Sequence, residues 1–426
     1  MKKSYDVAII GAGICGLTTA YRLSKKGFSV LLIEKNGQPG GLLKSIRQAE
    51  YKIEEYYHHI IQSDRETIEL IDELSLKKKF RFYPSRSSFL FKDFIFELST
   101  PLDLFKFRGL GLIDKLRWGS FLAKVLLIRN YENFDNITAK KFIIDNAGKN
   151  VYEKFFREML IGKFGDKYHN ISAAWFIARL KFRASRKNGY EMLGYLENGF
   201  GTLVEALTSQ TEGKIDMLLN SSVENISIKS GTVESITVKG KQIKVKHLVS
   251  TISVSEIYNK TKLIELKKST ELEEQGAIVV VIGTKKKVTD HYWNTIEIPF
   301  KTVRAVIEHT NLVPDYPEKI VYLMSYPNLK SRLWSISDKD VLKAYLNDIK
   351  DHSEILMKEI KWYKVIRSRS AGLVYNKGIL ALLRSLKPQV ENLHLAGMLT
   401  QFPERSINHS IIQADEISRK IIQEAE

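Results

Sequence analysis

The chain has 426 residues, 44% hydrophobic and 27% charged, which is enough for two joined domains and a substantial core and unlike a disordered or fibrous composition. Lysine and arginine (66) outnumber aspartate and glutamate (49), giving a formal charge of +17. That excess suits an anionic partner, a phosphorylated ligand or an acidic membrane surface, or a solvated lysine-rich exterior; no nucleic-acid-binding module accompanies it. The single cysteine, Cys15, excludes an intrachain disulfide and a cysteine metal cluster and fits a reducing cytoplasm. No HExxH, CxxC or GxSxG spacing is present, so the sequence itself points to no metal and no hydrolase.

Residues Tyr5–Ile10 form a β-rich apolar run that leads into Gly11-Ala12-Gly13-Ile14-Cys15-Gly16 and a helical stretch from Leu17 to Lys26. The glycines and Asp6 interrupt the apolar start, which reads as a strand and not as an export signal. No run of about 18 apolar residues offers a spanning helix. In a strand–turn–helix, Gly11 permits the tight turn, Gly13 lets a pyrophosphate approach the backbone, and Gly16 allows close helix packing. A second strand, Ser29–Ile33, ends in Glu34, placed to accept from ribose hydroxyls and to repel a 2′-phosphate.

Lys35 and the run Asn36-Gly37-Gln38-Pro39-Gly40-Gly41-Leu42-Leu43-Lys44-Ser45 follow. This segment resembles the FAD-dependent amine oxidase, protoporphyrinogen oxidase and phytoene desaturase superfamily, in which a Gly-Gly pair comes shortly after the ribose acid. The resemblance implies FAD as cofactor, with Gly11, Ala12, Gly13, Ile14, Cys15, Gly16, Glu34, Lys35, Gly40, Gly41 and Leu42 around it. Many relatives carry Arg where this chain has Leu42, and Lys44 is the nearest substitute.

The stretch Tyr51–Asp64, before a helix expected over Glu66–Leu74, resembles the corresponding segment of UDP-galactopyranose mutases. Its adjacent His58 and His59 have the side-chain chemistry for proton transfer near neutrality and are the catalytic candidates. Phe89–Leu98 reads as a hairpin around Lys92 and Asp93, and Thr100-Pro101 opens a helical region to about Arg186. Within it, Leu102–Arg129 mixes apolar and basic residues; it reads either as a cover over a core or as an amphipathic surface on anionic lipid.

Leu196–Leu203 precedes a helix to about Thr211, and strands follow at Met217–Val223, Val233–Val238 and Gln242–Val249. The superfamily resemblance puts the backbone near Val223 beside adenine. Ala277–Gly283, Asn294–Ile298, Val303–His309 and Ile320–Tyr326 read as a second sheet, with a helix from about Asp338 to Lys350. Leu393–Gly397 reads as a last strand and turn before a helix from about Ile411 to Glu424. There the resemblance implies cofactor contacts at Gly397, Asn408, His409 and Ser410. Arg367, Arg369, Tyr375 and Arg405 are the expected substrate-binding residues.

The expected architecture is α/β: a Rossmann-type FAD-binding domain (1–75, 190–275 and 355–426), glutathione reductase-like, interwoven with a mixed α+β substrate domain (76–189 and 276–354). The expected function is an FAD-dependent oxidoreductase taking a hydride from an anionic or lipid-linked small molecule. The alternative is a redox-neutral flavin-dependent nucleotide-sugar mutase, and the third reading a non-catalytic, membrane-associated flavin protein. The expected location is the cytoplasm, with peripheral contact at the inner membrane face.

Overall fold

A computed structural model describes residues 2–48, 50–183, 186–299, 301–352, 357–403 and 405–426. Seven strands form the first sheet. Asp216–Leu218, Val30–Ile33, Ser4–Ile10 and Lys241–Ser250 run parallel in that order, and Thr232–Val238 and Val223–Lys229 continue the sheet antiparallel. Strand Lys241–Ser250 is long enough to change partners: its start pairs with Ser235–Val238, while Leu248–Ser250 pair parallel with Leu393–Leu395. The first strand is apolar on both faces because both are covered. Val7 and Ile9 pack with helices Ile14–Ser24, Gly201–Thr211 and Ile407–Ala425, whereas Ala8 and Ile10 pack with helix Val254–Thr261.

The second sheet has the order Ile360–Leu373, Glu274–Thr284, Lys319–Ser325, Ala305–Glu308, Trp293–Ile296, Ser87–Leu90 and Ile95–Glu97. Its alternation separates two environments. Val279, Val281 and Ile366 join the core shared with the first sheet, while Ile278, Val280 and Ile282 pack against Val341, Leu342 and Tyr345 of helix Asp338–Ile349. Helices between Pro101 and Phe182 enclose a third core rich in Phe and Trp.

Three expectations need correction. Strand Ile360–Leu373 pairs along its length with Glu274–Thr284, so this part of 355–426 belongs to the second sheet and not to the first. The expected Met217–Val223 strand is two, Asp216–Leu218 and Val223–Lys229, separated by a turn through Asn220 at φ +48°. The C-terminal helix begins at Ile407, a full turn before Ile411, because Ser406 caps it by accepting from the His409 amide at 3.0 Å.

Candidate active site

The glycine turn explains itself by what a side chain would strike. Gly11 sits at φ +100°, and a Cβ there would lie 2.4 Å from Thr251 Oγ1; at Gly16 it would lie 2.0 Å from the Gly11 carbonyl oxygen. Gly13 differs: a Cβ would meet nothing within 4 Å. Two of the glycines are thus fixed by packing, and the third keeps a surface open beside the start of helix Ile14–Ser24. That helix has no side-chain cap at its N-terminus, so the first-turn amides, Ile14, Cys15 and Gly16 among them, suit an anion. Cys15 packs against Ala396 and Ala414, and burial pushes its thiol up to about 12, which makes it a packing residue and not a nucleophile.

Glu34 is buried at the end of its strand. Oε2 accepts from the Ala12 amide at 2.9 Å, and Oε1 accepts from the Asn36 amide and Nδ2 at 2.9 and 2.6 Å. Lys35 is exposed and Leu42 half-buried. Gly40 and Gly41, at φ +119° and +58°, lay a second glycine turn on the first: the Gly40 amide donates to the Ala12 carbonyl at 2.8 Å, and a Cβ on Gly41 would come 3.2 Å from Gly13 Cα. The Ser221 amide donates to the Glu34 carbonyl at 2.9 Å, which brings the chain leading into buried Val223 beside the acid.

Thr251 links this end to the C-terminal one. A Cβ on Gly397, at φ +96°, would fall 2.6 Å from the Thr251 carbonyl oxygen. The Gly397 amide donates to Gln413 Oε1 at 3.0 Å, and Gln401 Nε2 donates to Ser410 Oγ at 2.8 Å, so the 397–406 turn is stitched to the helix it precedes. The same helix start fixes His409, whose Nδ1 lies 2.9 Å from Ser406 Oγ. Asn408 faces elsewhere: its Oδ1 accepts from the Thr67 amide and hydroxyl, both at 2.9 Å, and its Nδ2 donates to Glu66 at 2.7 Å. It ties the last helix to Arg65–Glu73, and Ser406 is the cap. The open face at Gly13, the uncapped amides and the acid joined to the turn through Ala12 together fit the diphosphate and ribose of a dinucleotide.

His58 and His59 lie where the two sheets face each other, and their environments divide their roles. His59 Nε2 lies 3.2 Å from Arg183 Nη2 and Nδ1 3.1 Å from the Tyr292 hydroxyl. A guanidinium can only donate, so Nε2 accepts and the proton of the neutral ring sits on Nδ1, facing Tyr292. Burial, Arg183, His58 and Arg179 hold the ring well below the ordinary histidine range. His58 leaves Nδ1 buried without a well-formed hydrogen bond. Burial pushes it down to about 4, with the Tyr56 backbone opposing and Arg405 adding to the fall.

Arg405 reaches this place through another small residue: a Cβ on Gly372 would fall 1.8 Å from its Nη1. Arg183 also stands 5.6 Å over the Trp293 ring and 3.7 Å from Glu191. The structure therefore joins Arg179, Arg183 and Arg405 to the histidine pair. Arg179 and Arg183 were not expected; they lie at the end of a helix whose apolar content reads simply as core, and only their i, i+4 spacing hinted at a shared face.

Arg367 and Arg369 do not join them. Arg367 shares the register and face of Ile278 and is held by Asp338 at 2.5 Å and the Ile336 carbonyl at 2.9 Å; Arg369 is exposed over Trp334 at 5.2 Å. Arg367 thus faces the start of helix Asp338–Ile349 and Arg369 lies over Trp334, so the structure does not bring them to Arg405 as the sequence reading expected. Tyr375 lies in the Phe- and Trp-rich core, stacked on Trp175 at 6.2 Å.

Behind the histidines a second polar cluster is fully buried. Glu54 accepts from the Tyr195 hydroxyl and, at 2.8 Å, from the Phe200 amide, and burial pushes it up to about 7. His309, held down to about 3 by burial, packs its ring 4.8 Å from Tyr195. Nothing in the Tyr51–Asp64 pattern singled out Glu54, since an exposed glutamate reads the same.

The glycine turns at the end of the first sheet fit a dinucleotide, and the histidine–arginine cluster sits beside Tyr292 and Trp293 of the second, an arrangement that fits a dinucleotide-dependent enzyme. The model of the family described as flavin containing amine oxidoreductase matches residues 14–422, and the chain belongs to that family, whose members are FAD-dependent oxidoreductases. It is 34% identical to mitochondrial protoporphyrinogen oxidase of Nicotiana tabacum over 118 residues, 26% of this chain and 23% of that one. It is 26% identical to phytoene desaturase of Fusarium fujikuroi over 273 residues, 54% of this chain and 45% of that one. These matches span less than half the length of the curated relatives. Among solved structures, reduced UDP-galactopyranose mutase superposes with a TM-score of 0.77 at 16% identity, covering 99% of this chain and 96% of the other, a likeness of fold.

Proposed function

We propose that this protein is an FAD-dependent oxidoreductase that takes a hydride from a small anionic substrate held by Arg183 and Arg405 beside His58 and His59. The observation that carries the reading is the convergence of arginines on two histidines that burial keeps neutral. The FAD would lie along Gly11–Gly16, Glu34, Lys35, Gly40–Leu42 and Val223, with its isoalloxazine end toward Gly397, His409 and Ser410; Asn408 would act through the position of the helix. FAD, when bound, accepts a hydride from a C–H or C–N bond and passes the electrons to oxygen or another acceptor.

The chain's own residues divide the remaining work. The guanidinium groups of Arg183 and Arg405 bind an anionic group by charge-assisted hydrogen bonds. His59, with both ring nitrogens engaged, orients Arg183. His58, neutral beside Arg405, takes the proton that the substrate releases as its hydride leaves.

A second reading draws on the same cluster: arginines around neutral histidines also suit a nucleotide-sugar diphosphate rearranged without net redox change, and the fold matches the mutase. Turnover assays with anionic reductants, nucleotide sugars and lipid-linked compounds separate the two. Consumption by the oxidised protein supports oxidation; isomerisation confined to the chemically reduced protein replaces it with the mutase reading. Inertness of the flavin-loaded protein in both states would contradict both.

A membrane-facing role belongs to the same proposal. On helix Leu112–Leu127, Trp118, Phe121 and Val125 face the core, while Leu112, Leu116 and Leu127 on the other side are 67%, 54% and 81% exposed. Lys115, Arg117 and Lys124 flank this outer stripe, and Lys115 donates to the carbonyl of Phe105, itself 46% exposed, at 2.7 Å. A helix apolar on both faces with basic edges suits an anionic lipid surface. Among the described residues no helix is long and apolar enough to cross a membrane.

A further inference from the structure

Far from the histidine–arginine cluster, three metal-ligating side chains that are remote in sequence converge on one face of the first sheet. His247 lies on strand Lys241–Ser250. His394 lies on the neighbouring parallel strand, where it pairs with Val249. With a side-chain period of two, His247 and Val249 share a face, so the two imidazoles are diagonal neighbours on the same side. The third residue, Glu424, comes from the last turn of helix Ile407–Ala425, which packs over that face.

The ligand atoms have the spacing of a coordination sphere. His394 Nε2 is 3.4 Å from His247 Nδ1, His247 Nδ1 is 3.7 Å from Glu424 Oε2, and all three lie within 4.8 Å of one another. Metal–ligand bonds of about 2.0–2.1 Å at tetrahedral angles set neighbouring ligand atoms roughly 3.4 Å apart. The two ring nitrogens already meet that spacing. The Glu424 side chain is 40% exposed and has the rotamer freedom to close the remainder. The opposing charges are limited: Lys246 is paired with Asp6 at 2.8 Å, and Lys420, solvent-exposed, lies 3.6 Å from the other Glu424 oxygen.

We propose that His247, His394 and Glu424 bind a divalent transition-metal ion of the zinc class, with water completing the coordination. Two imidazoles and one carboxylate suit Zn2+ and its neighbours in the Irving–Williams order better than Ca2+ or Mg2+, which take oxygen ligands. The ion clamps the end of the C-terminal helix to the sheet. That helix spans roughly 28 Å, and its opposite end is the Ser406-capped start beside Gly397. The site stands independently of the oxidoreductase reading, because none of its ligands touches the histidine–arginine cluster. No ligand spacing in the sequence announces it; only the parallel pairing of two distant strands and the return of the last helix bring the three together.

The test uses the tag-free, flavin-loaded full chain after chelator treatment. Calorimetric titration with Zn2+ and visible spectroscopy with Co2+ should give one saturable site per chain, a tetrahedral Co2+ band and a melting temperature raised by several degrees. The Glu424→Ala and His247→Ala variants, altered at the more accessible ligands, should keep their flavin and lose affinity by about tenfold or more. Absence of a saturable site, or unchanged affinity in both variants, would overturn the assignment.

Discussion

Arg183 sets a guanidinium nitrogen 3.2 Å from Nε2 of His59, so a guanidinium and a neutral imidazole are held as one unit. A charge-assisted hydrogen bond contributes on the order of 1.5–3 kcal/mol. Arg183→Ala should therefore raise KM for an anionic substrate by about tenfold to a hundredfold, and Arg183→Lys should recover only part of the loss because it lacks the planar fork. Steady-state kinetics at constant flavin content reads this; an unchanged KM in both variants would move the anion site elsewhere.

His58→Ala should leave FAD bound while lowering kcat. Because burial holds His58 near 4, it is unprotonated at every pH above about 6, and its protonation should not produce a limb in the kcat profile between pH 6 and 8. Stability follows the same sign. The folded ring binds fewer protons than the unfolded one between about 4 and 6.5, so its contribution is complete above 6.5 and is lost as pH falls toward 4. A His58→Ala variant with native kcat, measured by single-turnover flavin reduction, would remove the residue from the reaction.

The glycines divide into two tests. At Gly16 a methyl group would overlap the Gly11 carbonyl at 2.0 Å, whereas at Gly13 it would meet only open space. Gly16→Ala should lower both folding yield and flavin content. Gly13→Ala should fold normally, as judged by circular dichroism and melting, yet purify with less flavin because the methyl group occupies the approach to the diphosphate. Full flavin occupancy in Gly13→Ala would contradict the assigned path of the cofactor.

Glu54 gives a pH signature of opposite sign. Its folded pKa of about 7 lies above the ordinary 4.5, so the folded state holds a proton that the unfolded state has released. The stabilising effect is full below about 4.5 and is lost as pH rises through 7. Glu54→Gln removes this titration, and thermal melts should show the variant gaining on the native protein between pH 5 and pH 8, by up to about 3 kcal/mol. Parallel stability curves would mean that the carboxyl is ionised throughout.

For the outer stripe of helix Leu112–Leu127, Leu116→Ser with Leu127→Ser should reduce partition onto anionic phospholipid vesicles by about tenfold or more and leave the melting temperature nearly unchanged. Sedimentation with vesicles measures it. Equal binding by the double variant, or none by the native chain, would remove the membrane surface from the account.

The sequence made the nucleotide end legible because its constraints are local. Gly11, Gly13, Gly16 and Glu34 lie within one strand–turn–helix–strand unit, and Gly16 answers to the Gly11 carbonyl five residues before it. The substrate end was harder to read because its geometry depends on alternation and pairing between distant strands. Arg367 and Arg369 look like ligands in sequence, yet the register of Ile360–Leu373 against Glu274–Thr284 sets Arg367 opposite Ile278, toward helix Asp338–Ile349, and Arg369 lies over Trp334. Arg405 arrives at the histidines only because Gly372 leaves room for it. Asn408, an expected cofactor contact at the start of the last helix, is engaged by Thr67 and Glu66, more than three hundred positions away.

The most direct measurement of the central claim is the absorbance of the purified protein during anaerobic titration with small anionic reductants. The account predicts an oxidised-flavin band at one FAD per chain that bleaches at saturating substrate, with the midpoint shifted to higher concentration by Arg183→Ala. A protein that folds and takes up no flavin, or a flavin band that no reductant of this class bleaches, would contradict it.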